Sequence, residues 1–369
     1  MKIEIDNLNY CKPFVDTYEY SSLIIDEYNN LHLEDGENCY FEINNNKISI
    51  AFKPNQELNS EKVINAVRII RKDKNLGKFF FPVKNIVQKD KYNIELTTWF
   101  KAPLLKNILQ VPWLFQENKN IDEIDFIFNR SSDKRMDLLR SDFLDVTWPA
   151  NGSSKEKNYK LKKYKYFNLP GNNIFTIRSS DTNFLNLIKN IKKEFEIEAI
   201  KKLNNQVDVV NSFLLNFDTF ELERETYSLS EMKKEYRLGY LNYYPNKEIC
   251  YLLKEILKPY VEVTLCNLGF IEDKKWITTH TDGQLLILSP TFFSKYSIAL
   301  GLLADFEINN KMDLLLDIYS LKGEKIAKQL MNSKHYLPIL SSRNIFWQRS
   351  DYNSKVFDNY GRIKKNAFK

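Results

Sequence analysis

Between residues 61 and 115 the chain sets three patterns in a fixed order. Val63, Ala66, Val67 and Ile70 recur at helical spacing, Tyr92, Ile94 and Leu96 alternate as on a half-buried strand, and Pro103-Leu104-Leu105 opens a second helix. The interleaving continues. Strand patterns fall at 47–52, 92–97, 124–128, 174–177, 237–242, 261–265 and 284–288, with helical patterns at 61–71, 183–191, 247–257 and 312–321. Strands alternating with helices predict α/β units with mixed sheets.

At 369 residues the chain exceeds the ~250–300 over which one core usually extends, so two lobes are expected. Pro and Gly should end a strand at Leu169-Pro170-Gly171-Asn172, which makes this the expected first crossing between lobes; the second is set near Asn309-Asn310. Residues 1–170 then form lobe 1, 171–310 form lobe 2, and 311–369 return to lobe 1. A content of 43% hydrophobic and 14% aromatic residues fits a packed globular protein. The 54 basic and 48 acidic residues leave a net charge of +6, spread thinly. The densest basic stretch, 155–165 (KEKNYKLKKYK), alternates Lys with Tyr and Leu, as a solvated strand or a nucleic-acid-facing stripe would; with 28% of residues charged, such clusters are expected on a solvated surface, and no nucleic-acid contact is predicted. No stretch approaches the ~18–20 apolar residues of a membrane helix.

Cys11, Cys39, Cys250 and Cys266 form no CxxC pair and sit beside apolar or aromatic neighbours, as buried free thiols do; a Cys11–Cys39 disulfide is the alternative in an oxidising compartment. His32, His280 and His335 are scattered, so no metal site is expected. Catalytic signatures are missing as well. The sequence holds no G-x-S-x-G, phosphate loop, G-x-G-x-x-G or H-E-x-x-H, and only 10 glycines to build backbone cradles. His280-Thr281-Asp282 reads as a turn rather than part of a triad, and Glu223 with Glu225 as a solvated face. A non-enzymatic protein without a cofactor is expected.

Several phrases carry a family likeness. Residues 52–63 (FKPNQELNSEKV) form a loop leading into a helix, and 12–33 (KPFVDTYEYSSLIIDEYNNLHL) place a Pro-containing turn before another. Residues 124–149 contain Arg135, Met136, Leu138, Leu139, Ser141, Asp145 and Val146, in an M-x-L-L…S-x-x-x-D-V arrangement. Residues 238–263 (LGYLNYYPNKEICYLLKEILKPYVEV) give strand, YP-x-N turn, helix and strand, and 330–343 (LMNSKHYLPILSSR) end a helix before a closing strand. In this order, over nearly the whole chain, they resemble the family 5 extracellular solute-binding proteins of the oligopeptide and nickel type. The family's Asp-Gly pair in the first loop is gone.

The resemblance implies a two-lobed periplasmic-binding-protein-like fold of type II, cluster C, with mixed sheets and a cleft that encloses a small molecule or short peptide. It also implies a monomer that serves an ABC permease in peptide transport. A cleft of this kind needs aromatic walls and a few matching polar groups. Trp148 follows Asp145-Val146 in the segment resembling a cleft-lining return strand and is the first candidate ligand contact. Trp113 after Pro112, Phe292 and Phe293 after Pro290, and Tyr18 and Tyr20 in the opening segment are further candidates, with core packing the alternative for each. Arg343, flanking Phe346-Trp347 together with Arg349, is a candidate fork for a carboxylate or phosphate, with a surface salt bridge the alternative.

One departure bears on the ligand. Peptide-binding members carry a Trp and then an Asp for the peptide's α-amino group, whereas 285–298 (LLILSPTFFSKYSI) has neither and places Lys295 there. That stretch is more similar to the solute-binding half of sugar-phosphate-stress type transcription regulators, so the ligand-sensing domain of a regulator, acting with a DNA-binding region, is the alternative function. No room for a winged helix precedes Lys12. Residues 1–9 (MKIEIDNLN) carry charges where a signal peptide needs an apolar core, so a cytoplasmic location is expected, or an extracellular membrane-associated one if this is a trimmed mature form.

Overall fold

The computed structural model describes residues 2–5, 32–54, 58–72, 77–111, 125–128, 132–147, 161–204, 206–214, 233–242, 244–269, 281–290, 292, 294–305, 311–331 and 335–357. After β1 (Lys2–Ile5), the strands β2 (Cys39–Asn44) and β3 (Lys47–Phe52) form a hairpin turning at Asn45, whose φ of 53° suits Asn better than a branched residue. Ile48, Ile50 and Phe52 point inward while Lys47 is exposed, which is the alternation seen in the sequence. With β4 (Val83–Gln88) and β5 (Asn93–Thr98) they make an antiparallel sheet of order β2-β3-β5-β4. Helix α1 (Ser60–Arg71) covers its inner face with Val63, Ile64, Val67 and Ile70. It begins where the Asn59 side chain accepts from the Lys62 N–H at 3.0 Å, and it carries Glu61 in the first turn and Arg68 and Arg71 near the last, as the helix dipole favours. Each of those aliphatic side chains contributes about 1.5–3 kcal/mol by leaving water. The short helix α2 (Leu105–Leu109) closes this unit.

The next strand, β6 (Asp125–Phe128), pairs in parallel with β1, and α3 (Ser132–Arg140) follows. The larger sheet contains β7 (Tyr164–Ser179), β8 (Val207–Asp208), β9 (Glu235–Tyr240), β10 (Glu262–Asn267), β11 (Gly283–Leu288) and β12 (Tyr336–Arg349) in the order β10-β9-β11-β7-β12-β8. Strands β9, β10 and β11 run parallel to one another, and β7 runs antiparallel to both β11 and β12. Helix α4 (Thr182–Lys202) is capped by Asp181, which accepts from the Phe184 N–H at 3.1 Å, and the Phe184 ring stacks on Tyr236 at 4.3 Å. Helix α5 (Asn246–Leu257) connects β9 to β10, and α6 (Ser297–Asp305), α7 (Lys311–Tyr319) and α8 (Gly323–Met331) lead into β12.

Two joints link these units. The segment at 145–147 lies between β1 and β12. The Asp145 and Val146 N–H groups donate to the Lys2 carbonyl at 3.0 and 3.2 Å, while Thr147 N–H donates to the Trp347 carbonyl at 2.9 Å. Met136, Leu139, Leu144, Tyr164 and Trp347 form a separate small core beside it. The second joint is aromatic. Tyr319, fully buried at the end of α7, donates its hydroxyl to the Phe79 carbonyl at 2.7 Å and meets the Phe81 ring edge-on at 5.2 Å. Phe100 lies 6.1 Å from it, and the Leu104 N–H donates to the Tyr319 carbonyl at 3.3 Å.

Cys39 and Cys250 are free and fully buried, and Cys266 is free and half-buried, so the Cys11–Cys39 disulfide does not form; Cys11 lies outside the described residues. Burial pushes the Cys39 thiol up to about 12 and raises that of Cys250 as well, which suppresses the reactive thiolate. A thiol probe followed by peptide mapping is therefore expected to label Cys266 in the folded protein, and Cys39 and Cys250 only after denaturant is added. Early labelling of Cys250 would contradict its placement.

Candidate functional site

Strand β7 does not stop at Pro170-Gly171. It runs unbroken from Tyr164 to Ser179 beside β12, from Tyr336 opposite Arg178 to Arg349 opposite Tyr164, although Pro and Gly predicted an end there. The ladder absorbs the disturbance by shifting register between Pro338 and Leu340 and again between Ser341 and Arg343. At the second shift the backbones come very close: a Cβ on Gly171 would lie 2.1 Å from the Ser342 carbonyl oxygen. Only glycine fits there. Replacing Gly171 by Ala is expected to cost about 1–3 kcal/mol and to spread the two strands at this point; urea unfolding measures the cost, and an unchanged midpoint would contradict the close approach.

Polar side chains gather around this junction. Asn168, Asn172 and Asn173 come from β7, and Ser341, Ser342 and Asn344 from β12. The Asn173 N–H donates to the Ser342 hydroxyl at 3.3 Å. Two buried amide atoms, Asn173 Oδ1 and Asn344 Nδ2, have no hydrogen-bond partner among the described residues. Such groups normally find one. The carboxyl end of β11 reaches the same place, because Leu288 pairs with Ile174, and β9 runs parallel beside it. Ligands of open α/β sheets bind beyond the carboxyl ends of parallel strands. The junction therefore offers amide and hydroxyl donors and acceptors at the sheet end where a ligand is expected.

The sequence-predicted residues divide sharply. Trp148, Tyr18, Tyr20, Trp113 and Phe293 lie outside the described residues, as do His280, Glu223, Glu225 and Asn309-Asn310. Phe292 is 1% exposed and packs edge-on against Phe79 at 6.4 Å, so it serves the core. Arg343 does form a fork, but on the chain's own groups: Nη1 donates to both oxygens of Asp208 at 2.9 and 2.8 Å, Nε donates to the Asn168 side chain, and Nη2 to the Asn168 carbonyl at 3.3 Å. Its charge is matched inside the junction, as in the salt-bridge alternative. Asp282 accepts from Lys233 and from the Arg237 N–H at 2.8 Å, tying β11 to β9. Asn173, Asp208, Ser342 and Asn344 were not singled out by sequence. Pro170-Gly171 marked the place, but Asn is too common in this chain for any one to stand out. A shallow depression of about 300 Å³ on the outer face of the four-stranded sheet, between Tyr40, Glu42, Ser49 and Glu95, is a solvated face, with Glu95 paired to Lys89 at 3.4 Å.

No family model matches the sequence, and no curated protein matches it. Solved structures do. The oligopeptide-binding protein AppA of Bacillus subtilis, in complex with a nonapeptide, aligns with a TM-score of 0.73 at 11% identity, covering 100% of this chain and 97% of that one. A dipeptide-binding protein from Pseudoalteromonas sp. SM9913, in complex with Met-Leu, gives 0.67 at 14% identity, covering 99% of both chains. NikA of Staphylococcus aureus, in complex with Ni(L-His)2, gives 0.64 at 13% identity, covering 99% of this chain and 98% of that one. The chain has the two-lobed, mixed α/β periplasmic-binding-protein fold of these proteins.

Proposed function

We propose that the chain is a non-enzymatic solute-binding protein that encloses a small molecule or short peptide between two lobes and works with an ABC permease. The observation that carries this is the end-to-end likeness to three proteins whose structures hold a nonapeptide, a dipeptide and a nickel–histidine complex. In this reading the lobes close about the paired strands β7 and β12, with the first crossing at 170–172 and the second near Asn309-Asn310. Support comes from the close approach of Gly171 to Ser342 and the register shift beside it. The boundary at 310/311 is kept as part of the proposal, because Tyr319 seats residues 311–331 on the unit of the four-stranded sheet.

A small neutral or anionic solute suits the chain better than one led by an α-ammonium group. Lys295 occupies the stretch where an acid would be needed, and the charge of Arg343 is already balanced by Asp208. Nothing in the described geometry, and none of the three structures, favours a regulator's sensing domain. Thermal-shift screening with peptides, sugars, sugar phosphates and metal chelates tests the proposal, since a ligand at a hundred times its Kd should stabilise by about 2.7 kcal/mol. Scattering should show compaction with the same compound. If no class raises the melting point and none compacts the chain, the fold serves as a scaffold instead.

A further inference from the structure

One end of the four-stranded sheet carries an exposed aromatic ring among cations. Trp99 is 65% exposed, yet its backbone is firmly held: its N–H donates to the Pro82 carbonyl at 3.0 Å, and the buried Thr98 beside it bonds to the Asn46 carbonyl through its N–H at 2.8 Å and its hydroxyl at 3.1 Å. The indole is thus presented outward by a fixed frame. The Lys84 ammonium sits 4.9 Å above its ring. Lys47 begins β3 across the Asn46 turn, and Lys101 follows two residues after Trp99; all three lysines are exposed. Among the described residues no carboxylate lies within 4.0 Å of the Lys84 or Lys101 ammonium, and Lys47 reaches only Glu95, at 3.9 Å. The Ser320 hydroxyl, donating to the Lys101 carbonyl at 3.2 Å, brings Leu321 alongside; that residue is 40% exposed at a φ of 60°. The segments 44–47, 82–84 and 98–101 contain no Asp or Glu.

We propose that this end of the sheet contacts the surface of a bilayer containing anionic lipids, seating Trp99 at headgroup level with Lys47, Lys84 and Lys101 against the phosphates. Three features select that occupant. Among the described residues the balance of charge is positive, three lysines against the one carboxylate, Glu95, that Lys47 reaches, as a polyanionic surface favours. Trp and long-stemmed Lys are the side chains that place an apolar body beneath a wet polar end. The exposed apolar groups are one ring, Trp99, and Leu321 beside it, not the packed centre of a specific protein interface, which buries roughly 800 Å² per partner, whereas a fluid surface needs no matched shape. The proposal stands apart from solute binding, because these residues are not part of the strand junction.

The test is co-sedimentation of the full chain with phosphatidylcholine vesicles made with and without phosphatidylglycerol, at low and high salt. Binding is expected only with phosphatidylglycerol and should weaken with salt. Trp99→Ala should reduce partitioning about tenfold, and Lys84→Ala and Lys101→Ala about fivefold each. Ile69→Ala, which removes an equally exposed side chain from α1, should change nothing. The proposal is overturned by no sedimentation with either vesicle, by equal binding to both, or by variants that bind like the parent. Trp99-dependent binding of single-stranded DNA in place of vesicles would also overturn it, assigning the patch to nucleic acid.

Discussion

Replacing Tyr319 by Ala is expected to lower the stability of the chain by about 3–5 kcal/mol. The side chain is fully buried, touches the Phe81 and Phe100 rings and bonds to the Phe79 carbonyl, and it joins residues distant in sequence, so the space it leaves cannot close by a local adjustment. Burial raises the phenol well above its ordinary value, so the hydroxyl stays protonated and donates to the Phe79 carbonyl at any physiological pH. Tyr319→Phe keeps the ring and removes only that donor, at an expected cost of about 1–3 kcal/mol. Urea titration of both variants separates packing from hydrogen bonding. A Tyr319→Ala protein within about 1 kcal/mol of the parent would show that α7 is not seated on the four-stranded sheet.

A comparable loss, about 3–5 kcal/mol, is expected for Lys192→Met. Lys192 and Glu196 are one turn apart on α4, both buried and paired with each other. Desolvation pulls the lysine down from its ordinary value and pushes the glutamate up, while their mutual attraction opposes both shifts. Removing the lysine leaves the carboxylate buried without its counter-charge, which accounts for most of the cost. In Lys192→Met/Glu196→Leu that penalty disappears, and more than half of the stability should return. It should not return in full, because Lys192 also donates to the Val210 carbonyl at 2.7 Å and the Asn211 side chain at 3.1 Å, pinning α4 to the segment after β8. If the double variant is as unstable as the single one, those two bonds rather than the ion pair hold the helix in place.

Local periodicity carried the fold where one face of an element is wet. β3 matches its predicted span because Lys47 and Ser49 alternate with Ile48 and Ile50, and α1 because its apolar residues keep helical spacing. The pattern fails where both faces are covered. β12 is buried almost throughout, so residues 336–340 give an apolar run without alternation. For β7 only 174–177 was read as strand, since Pro170-Gly171-Asn172-Asn173 is turn chemistry by composition. What makes it strand is Ser342, a neighbour brought in from far along the chain. The site was harder still. Aromatic residues were favoured as walls, but in this chain they also pack the joints, which is where Phe292 resides. The amides that do meet at the strand junction gave no local signal, because their meaning comes from register.

The long ribbon also dictates an order of events during synthesis. The four-stranded sheet is complete once residue 98 has left the ribosome, since its pairings all lie between residues 39 and 98. β7 has no such neighbour: its hydrogen-bonding partners on the two sides are β11 and β12, which end at residues 288 and 349. Until residue 288 is made the nascent chain carries a sixteen-residue strand with both edges open and an apolar stretch, Ile174, Phe175 and Ile177, awaiting cover, and one edge stays open until 349. Such a strand pairs readily with copies of itself. A slowly translated or early-terminated chain is thus expected to aggregate through β7 although its first sheet is folded, and holdase chaperones have their natural target there.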